Sequence, residues 1–309
     1  MSWLRDLHKE ALFRGRFTPV GRGLLSTAAA VAQPVDWSVR RFAAARYNRR
    51  FPSTRMTSGN GLVILPSGTL PGAREVIDTC RRLFESKQAA IAAGEPGGKR
   101  KGKQSFLKNM LDDGDLKANP ILVDFALSDP LFSIVTNYFG SIPTLNRVDL
   151  LHSFPRATPE EHISSQLFHQ DHEGLTQAKV FLNIYDVAEE NGPFTFVPAI
   201  VTERVLRAIR EERKRSGAER EGHYRDDEVA AHGGLAVADR LLGPAGTAAI
   251  VDTSRCLHSG SRVQPGHFRL CLYIQYCTTH ERANTFDAAR FRSDPVRWLA
   301  VKRYAAETG

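Results

Sequence analysis

The chain has 309 residues, of which 42% are hydrophobic and 25% charged, fractions that are ordinary for a soluble globular protein. This length fits one large domain, or one domain with an extension. No apolar run approaches the ~20 residues that a membrane-spanning helix needs, so no transmembrane segment is expected. The net charge of +8 favours acidic partners, whether anionic metabolites, anionic membrane surfaces or nucleic acid.

Residues 1–55 are predicted to be a basic N-terminal extension. They are rich in arginine, as in a mitochondrial transit peptide, but Asp6 and Glu10 argue against one, and a surface helix or partly ordered arm is favoured. The four cysteines of the chain form no CxxC pair. The sequence therefore suggests no disulfide framework, which fits a reducing, cytoplasmic location.

Two amphipathic helices are predicted in the first half of the chain. Pro71 opens the first, whose apolar residues recur at helical spacing until the Gly-rich basic loop GEPGGKRKGK. The second begins around Asp129-Pro130, with proline at a natural first-turn position, and Gly140 can end it. Both helices would cover one face of a sheet.

From about Thr144 the apolar period changes from helical to two, which is typical of strands. The strand-like runs after this point are VDLLHSF, SSQLFHQD, KVFLNIYDV, PFTFVP, GTAAIVD and FRLCLYIQY, and NGLVIL precedes the first helix. A charged insertion at about residues 202–243 interrupts the series. The pattern predicts a mainly β domain over residues 56–309, a sandwich or jelly roll with covering helices.

Two of these strands have one apolar and one mixed face. The mixed faces comprise Lys179, Phe181, Asn183 and Tyr185 on KVFLNIYDV, and Arg269, Cys271, Tyr273 and Gln275 on FRLCLYIQY. Since alternate residues of a strand share a face, the apolar faces are suited to packing under helices. The mixed faces are suited to lining a cavity.

The segment QLFHQDHEG (166–174) places two histidines around an aspartate within an apolar stretch. It is either a polar turn that happens to carry histidine, or a site, because a buried charge is costly unless it is paired or binds a metal. On a strand, His169 and Asp171 point the same way, so that an imidazole and a carboxylate converge. His172 is expected to face the opposite side and to lie outside any ligand set.

A metal site requires a third ligand, and VDTSRCLHSGSR supplies His258 just after the strand TAAIV. Two histidines and one carboxylate form the facial triad of non-haem iron(II) oxygenases, which leaves coordination positions open. Arg269 follows His258 by eleven residues and lies on a mixed face. A buried arginine needs an anion, and the far carboxylate of 2-oxoglutarate would fit its forked guanidinium.

The segments FHQDHEG…KVFLNIYDVAEENGPFTFVPA and HSGSR…FRLCLYIQY resemble the phytanoyl-CoA dioxygenase family of iron(II)- and 2-oxoglutarate-dependent oxygenases. The resemblance covers roughly residues 60–278. It implies a double-stranded β-helix, a jelly-roll or cupin-like core, in which His169, Asp171 and His258 bind Fe(II). It also implies that Arg269 binds 2-oxoglutarate, with O2 as the other cosubstrate.

Further cosubstrate contacts are implied less directly by the same resemblance. They are an aromatic residue at Phe181, a hydroxyl at Ser259 or Ser261, and a polar contact at Gln166. The NGPF turn (191–194) is frequent in the family, and its Asn-Gly suits a tight hairpin turn. Lys179 could reach the cavity mouth or extend to solvent.

The charged insertion has two interpretations, a solvated helix or a lid over the substrate, since long insertions beside a site are often functional. The residues assigned to the substrate or the lid are Lys179, Asn183, Tyr273, Arg204 and Arg207. Asp171 favours oxygenation over halogenation, because its carboxylate would occupy the position that a halide needs.

The sequence therefore predicts a 2-oxoglutarate-dependent dioxygenase that hydroxylates a small or medium metabolite, with an anionic one favoured by the charge. Two alternatives stay open. One is a non-catalytic jelly roll that binds a ligand. The other is a nucleic-acid-directed oxygenase on the same fold, but the sequence has no stacking motif or dense basic groove, so no nucleic acid is expected as a partner.

Overall fold

Two antiparallel sheets pack face to face in the computed structural model, which describes residues 34–94, 102–156, 161–171, 176–217, 222–278 and 285–302. In spatial order, the six-stranded major sheet comprises β1 (Leu62–Leu65), β9 (Ala248–Val251), β5 (Gln177–Asn183), β11 (Arg269–Cys277), β3 (Thr144–Ser153) and β2 (Leu107–Asn109). The five-stranded minor sheet comprises β7 (His223–Tyr224), β4 (Phe168–His169), β10 (His258–Ser259), β6 (Thr195–Phe196) and β8 (Asp239–Arg240). From β3 to β6 and from β8 to β11, successive strands alternate between the sheets. The predicted jelly-roll core with covering helices is confirmed.

The helices in the described residues are α1 (Pro34–Arg50), α2 (Ala73–Gly94), α3 (Asp113–Ala118), α4 (Ile121–Ala126), α5 (Asp129–Phe139), α6 (Ala199–Ser216), α7 (Asp226–Ala231) and α8 (Pro295–Val301). The two helices predicted from the sequence are α2 and α5. Gly140 ends α5 with a φ of 60°, a left-handed conformation that glycine adopts without strain. Among the described residues, no helix is both long enough and apolar enough to cross a membrane.

The outer face of the major sheet forms the main hydrophobic core with helices α1 to α5 and α8. Val180 and Leu182 of β5 lie in register with Ile274 and Leu272 of β11, and all four side chains are fully buried. The prediction that the apolar faces of these strands pack under helices is confirmed. Within β5 and β11 their mixed faces therefore look toward the minor sheet. Tyr185, predicted to share that face, lies past the end of β5 and instead contacts Arg81 of α2 at 4.8 Å.

Helix α1 lies within the segment predicted to be an extension, yet it packs on the domain. Arg40 is 3% exposed and donates hydrogen bonds to the carbonyl oxygens of Ile142 at 2.8 Å and Leu299 at 2.7 Å. Residues 34–50 thus belong to the helical layer that covers the major sheet. Residues 1–33 lie outside the described part of the chain.

The charged insertion contributes a packed helix. Leu206 and Ile209 of α6 are buried in one cluster with Phe168 of β4 and Leu257, which precedes β10. Strand β7, within the same insertion, pairs with β4. Helix α6 therefore covers the outer face of the minor sheet.

The Asn-Gly turn predicted to close a hairpin instead connects the two sheets, since β5 and β6 belong to different ones. Gly192 has a φ of 63°, and a Cβ added there would lie 2.6 Å from the backbone of Arg262. Only glycine fits this close approach. The carbonyl of Gly192 accepts a hydrogen bond from the Ser261 amide at 3.3 Å, so the turn supports the loop that leads into the interior.

Candidate metal centre

His169 and His258 are cross-strand neighbours on the inner face of the minor sheet, with ring centroids 4.3 Å apart. Asp171 follows β4, and its amide donates to the carbonyl oxygen of Thr253 at 2.8 Å, which fixes the carboxylate beside the two rings. The candidate ligand atoms of the three residues all lie within 4.8 Å of one another. We call His169, Asp171 and His258 the candidate metal centre.

Both imidazoles are oriented by the backbone. His169 Nδ1 lies 2.9 Å from the Leu167 carbonyl oxygen, and His258 Nδ1 lies 3.0 Å from that of Cys256. Because a carbonyl oxygen only accepts, each Nδ1 carries the proton and each Nε2 keeps a lone pair. A backbone bond to the remote ring nitrogen is the usual arrangement of a metal-binding histidine.

The Nε2 atoms of both histidines face the carboxylate of Asp171. His258 Nε2 lies 3.2 Å from Asp171 Oδ2, and His169 Nε2 lies 3.7 Å from Asp171 Oδ1. Burial and the neighbouring His258 lower the pKa of His169 to about 3. Burial alone would raise the pKa of Asp171, but Lys179 and His258 hold it well below its usual range. A neutral imidazole and an ionised carboxylate are the forms that bind a metal.

The strand predicted to carry His169 and Asp171 is much shorter in the structure. Ser164–Gln166 forms a single 3-10 turn, and β4 contains only Phe168 and His169. Asp171 nevertheless lies beside His169 because the backbone bond to Thr253 continues the alignment past the end of β4. His172 lies outside the described residues.

The side chain of Lys179 lies in the interior, so the interpretation that it extends to solvent is wrong. The residue is 5% exposed, and its Nζ lies 2.6 Å from Asp171 Oδ2. Its ammonium also lies 5.4 Å from the ring centroid of Tyr273. This ion pair was not predictable from the sequence, since it depends on how β5 of one sheet faces the end of β4 in the other.

The inner face of the major sheet is built from cross-strand rows, because registered residues of neighbouring antiparallel strands share a face. The inner face is the one that carries Lys179, because the Lys179 side chain reaches Asp171. The rows are Lys179–Gln275–Arg147, Phe181–Tyr273–Asp149, Asn183–Cys271–Leu151 and Arg269–Ser153–Leu107. At ~3.4 Å per residue, the Cα atoms of the first and last rows lie about 20 Å apart along β11.

Arg269 has no carboxylate partner among the described residues, although it is only 6% exposed. Its Nη2 donates to Ser261 Oγ at 3.3 Å, and its Nε has no hydrogen-bond partner. Burial lowers the pKa of the guanidinium. A buried cation without an anion is costly, so this end of the interior is suited to an anionic ligand.

Of the two candidate hydroxyls, the structure brings Ser261 to Arg269. Ser261 has a φ of 61°, and its Oγ also lies 2.9 Å from Ser153 Oγ. Ser259 directly follows His258 on β10 and therefore faces away from the metal centre.

Both ends of the Gln166 side-chain amide are hydrogen-bonded within the protein. Its Nε2 donates to the Ser261 carbonyl oxygen at 3.0 Å, and its Oε1 accepts from the Ile163 amide at 3.3 Å. The structure therefore places Gln166 as a support of the Ser261 loop, one step behind the position where a ligand would lie.

The middle of the inner face combines aromatic rings with an unpartnered amide. Phe181 stacks on Phe194 with centroids 3.9 Å apart and meets Tyr273 edge-on at 5.5 Å. Asn183 is 1% exposed, and neither its Oδ1 nor its Nδ2 has a hydrogen-bond partner. By register, Asn183 is a diagonal neighbour of Arg269, close enough for both to contact one ligand.

Arg204 and Arg207, assigned to a lid, are not brought to the metal centre. Both are exposed on α6. The buried side of α6 packs on Phe168, which alternates with His169 along β4 and so lies on the opposite face of the sheet. The structure thus places these arginines on the far side of the minor sheet from the interior.

No family model matches the sequence, and no curated protein matches it. Solved structures with a similar fold include the non-heme alpha ketoglutarate dependent epimerase SnoN from nogalamycin biosynthesis, with 17% identity, a TM-score of 0.46, and 79% of this chain and 87% of that chain covered. HygX from Streptomyces hygroscopicus, with nickel and 2-oxoglutarate bound, has 15% identity and a TM-score of 0.46, with 75% and 90% covered. EctD from S. alaskensis has 12% identity and a TM-score of 0.46, with 80% and 82% covered.

Proposed function

We infer that the protein is an Fe(II)- and 2-oxoglutarate-dependent oxygenase. The observation that carries this proposal is the convergence of two Nε2 lone pairs and one carboxylate at His169, Asp171 and His258. Two histidines and one carboxylate fit the facial triad of non-haem iron, with positions left for cosubstrate and oxygen. The membership of the phytanoyl-CoA dioxygenase family is part of this proposal.

The second half of the proposal concerns the cosubstrate. Arg269 and Asn183 present buried polar atoms without partners, and a dicarboxylate supplies the acceptors that both side chains lack. Arg269 and Ser261 would bind the carboxylate farthest from the metal, and Asn183 would donate from Nδ2 to the same ligand. Phe181 and Tyr273 would exclude water from its apolar middle.

Bound iron would supply the activation of O2, coupled to oxidative decarboxylation of 2-oxoglutarate to succinate and carbon dioxide. The chain holds the metal, aligns the cosubstrate and keeps the interior dry. The favoured substrate is a small or medium metabolite, with an anion preferred by the net charge of +8. Asp171 would direct the outcome to oxygenation, most simply hydroxylation, because its carboxylate fills the position that a halide would need.

The test of this proposal is anaerobic addition of Fe(II) and 2-oxoglutarate to the purified protein. A visible charge-transfer band is expected with the natural sequence and with His267→Ala, since His267 is exposed and outside the metal centre. The band should be lost in Asp171→Ala and in His258→Ala. A band that persists in both variants would show that the metal, if bound, is held elsewhere.

A non-catalytic jelly roll that binds a ligand is the alternative function. It predicts that metal and 2-oxoglutarate bind but that no turnover follows in air. Slow formation of succinate without added substrate, dependent on Asp171, favours the oxygenase. Binding without any succinate favours the alternative.

A further inference from the structure

We propose that Lys179 is a built-in counter-cation of Asp171, and that it competes with a metal ion for that carboxylate. The competition rests on the metal-binding role proposed above. The neutralisation of Asp171 does not depend on that role, so the two parts are tested separately.

The ion pair between Lys179 and Asp171 is sequestered from water. The side chains are 6% and 15% exposed, and Nζ lies 2.6 Å from Oδ2. The same carboxylate oxygen is the one nearest to His258 Nε2, at 3.2 Å. The Lys179 ammonium therefore contacts the same carboxylate as a metal ion bound by His258 and Asp171 would.

The position of the ammonium is set by the central part of the major sheet. Lys179 lies on β5 between Val251 of β9 and Gln275 of β11, in register with both. Its charge is also near the Tyr273 ring, a contact that favours a cation. The lysine is thus placed beside Asp171 by buried, registered strands, which distinguishes it from a surface lysine that meets a carboxylate by chance.

Two consequences of opposite sign follow. Without a metal, loss of the ammonium leaves a buried carboxylate with one cation fewer, which destabilises the protein. With a metal, loss of the ammonium removes a repelling charge from the vicinity of the divalent cation, which tightens metal binding. A residue that only packed in the core would not give this pair of effects.

The experiment compares Lys179→Met with Lys179→Arg, using Co(II) as the probe. With a chelator present, Lys179→Met should melt several degrees below the natural protein. In a separate Co(II) titration without chelator, its dissociation constant should be at least tenfold lower. Lys179→Arg keeps the charge and should change both quantities less. The matched control is Lys87→Met, because Lys87 pairs with Asp115 away from the centre, and it should leave Co(II) affinity unaltered.

An unchanged melting temperature in chelator, or a Co(II) affinity that is equal or weaker in Lys179→Met, overturns the proposal. If Lys179→Met does not fold, the double variant Asp171→Asn with Lys179→Met decides, since removal of both charges should restore a folded, metal-free protein. A double variant that also fails to fold overturns the neutralising role. If the natural protein binds no Co(II), the proposed function fails, and the melting comparisons alone decide whether Lys179 is the counter-cation.

Discussion

Two buried cations on the same sheet face have opposite environments. Lys179 lies against Asp171, whereas the one side-chain hydrogen bond that Arg269 makes within the described residues is to the Ser261 hydroxyl. A protein interior tolerates an arginine without an anion only at a cost, so the surroundings of Arg269 are suited to an anionic ligand. Of these two cations, Lys179 is balanced by a carboxylate of the chain, and Arg269 is left for an anion.

Substitution of Arg269 tests this difference. Loss of a charge-assisted bond to a carboxylate costs about 1.5–3 kcal/mol, so Arg269→Leu should weaken 2-oxoglutarate binding about ten- to a hundredfold. Co(II) affinity should stay, because Arg269 is not one of the proposed metal ligands His169, Asp171 and His258. Calorimetric titration of the Co(II) protein with 2-oxoglutarate measures the effect, and an unchanged affinity would rule out Arg269 as the carboxylate ligand.

Asn183 gives a second test, in which stability and binding should move in opposite directions. A buried polar group without a partner costs about 1–3 kcal/mol, so Asn183→Leu should raise the stability of the ligand-free protein. The same change should weaken 2-oxoglutarate binding. Asn146 is the control, because its Nδ2 already donates to Gln275 at 3.0 Å, and Asn146→Leu should destabilise. If Asn183→Leu destabilises as well, Asn183 serves the fold and not a ligand.

At the scale of single residues, the sequence predicted those features that depend on strand alternation. The inner positions of Phe181 and Arg269 follow from period two, and the spacing of His169 and Asp171 predicted their convergence. The contacts of Gln166 and Lys179 did not follow, because each is made to a residue brought near by the pairing of distant segments. Alternation gives the face on which a residue lies, and only the packing of the two sheets gives its partner.

At the scale of elements, α6 shows how a charged sequence can contain a packed helix. The buried residues of α6 are Ala199, Thr202, Val205, Leu206 and Ile209. Their spacing of three and four residues is the stripe of an amphipathic helix, and it was present in the sequence among the arginines and glutamates. Net composition indicated a solvated segment, whereas periodicity was the better signal.

Helix α6 should therefore matter for stability more than for gating. Ile209→Ala removes a side chain that is 2% exposed and should cost about 2–4 kcal/mol. Arg207→Ala, on the exposed side of the same helix, should change the free energy of unfolding by less than about 0.5 kcal/mol. Chemical denaturation measures both, and equal effects of the two substitutions would contradict the packing of α6 on the minor sheet.

The short strands of the minor sheet explain why their boundaries were not predictable. Strands β4, β6 and β10 each contain two residues, too few for a periodic pattern. Their positions are fixed by cross-strand pairs such as His169 with His258. The residues that bear the proposed chemistry are also those that align the sheet.

At the scale of the whole molecule, the positive charge is not gathered at the interior. Arg204 and Arg207 of α6 are exposed. Arg297 and Arg290 pair with carboxylates in the helical layer. A nucleic-acid-directed oxygenase would bind DNA or RNA with an affinity that falls steeply with salt. We expect no such salt-dependent binding near physiological ionic strength, and a titration of labelled DNA and RNA across salt concentrations measures it.

One arginine of the first described helix contacts the last one, α8. Arg40 of α1 donates to the carbonyl oxygens of Ile142, before β3, and Leu299 of α8. Arg40→Met removes these bonds and leaves two buried carbonyls without their donor, whereas Asp36 keeps Lys302 at 3.0 Å. Since hydrogen bonds from a charged donor contribute about 1.5–3 kcal/mol, the variant should lose about 3 kcal/mol of stability.

The same substitution should leave the metal centre unaffected, because Arg40 lies in the helical layer outside the major sheet and His169, Asp171 and His258 lie on its inner side. Urea denaturation and Co(II) titration of Arg40→Met provide the two measurements. A loss of stability with unchanged Co(II) affinity would place the helical layer as a support of the fold that is independent of the site. A parallel loss of Co(II) affinity would mean that the packing of α1 and α8 is transmitted through the major sheet to the metal ligands.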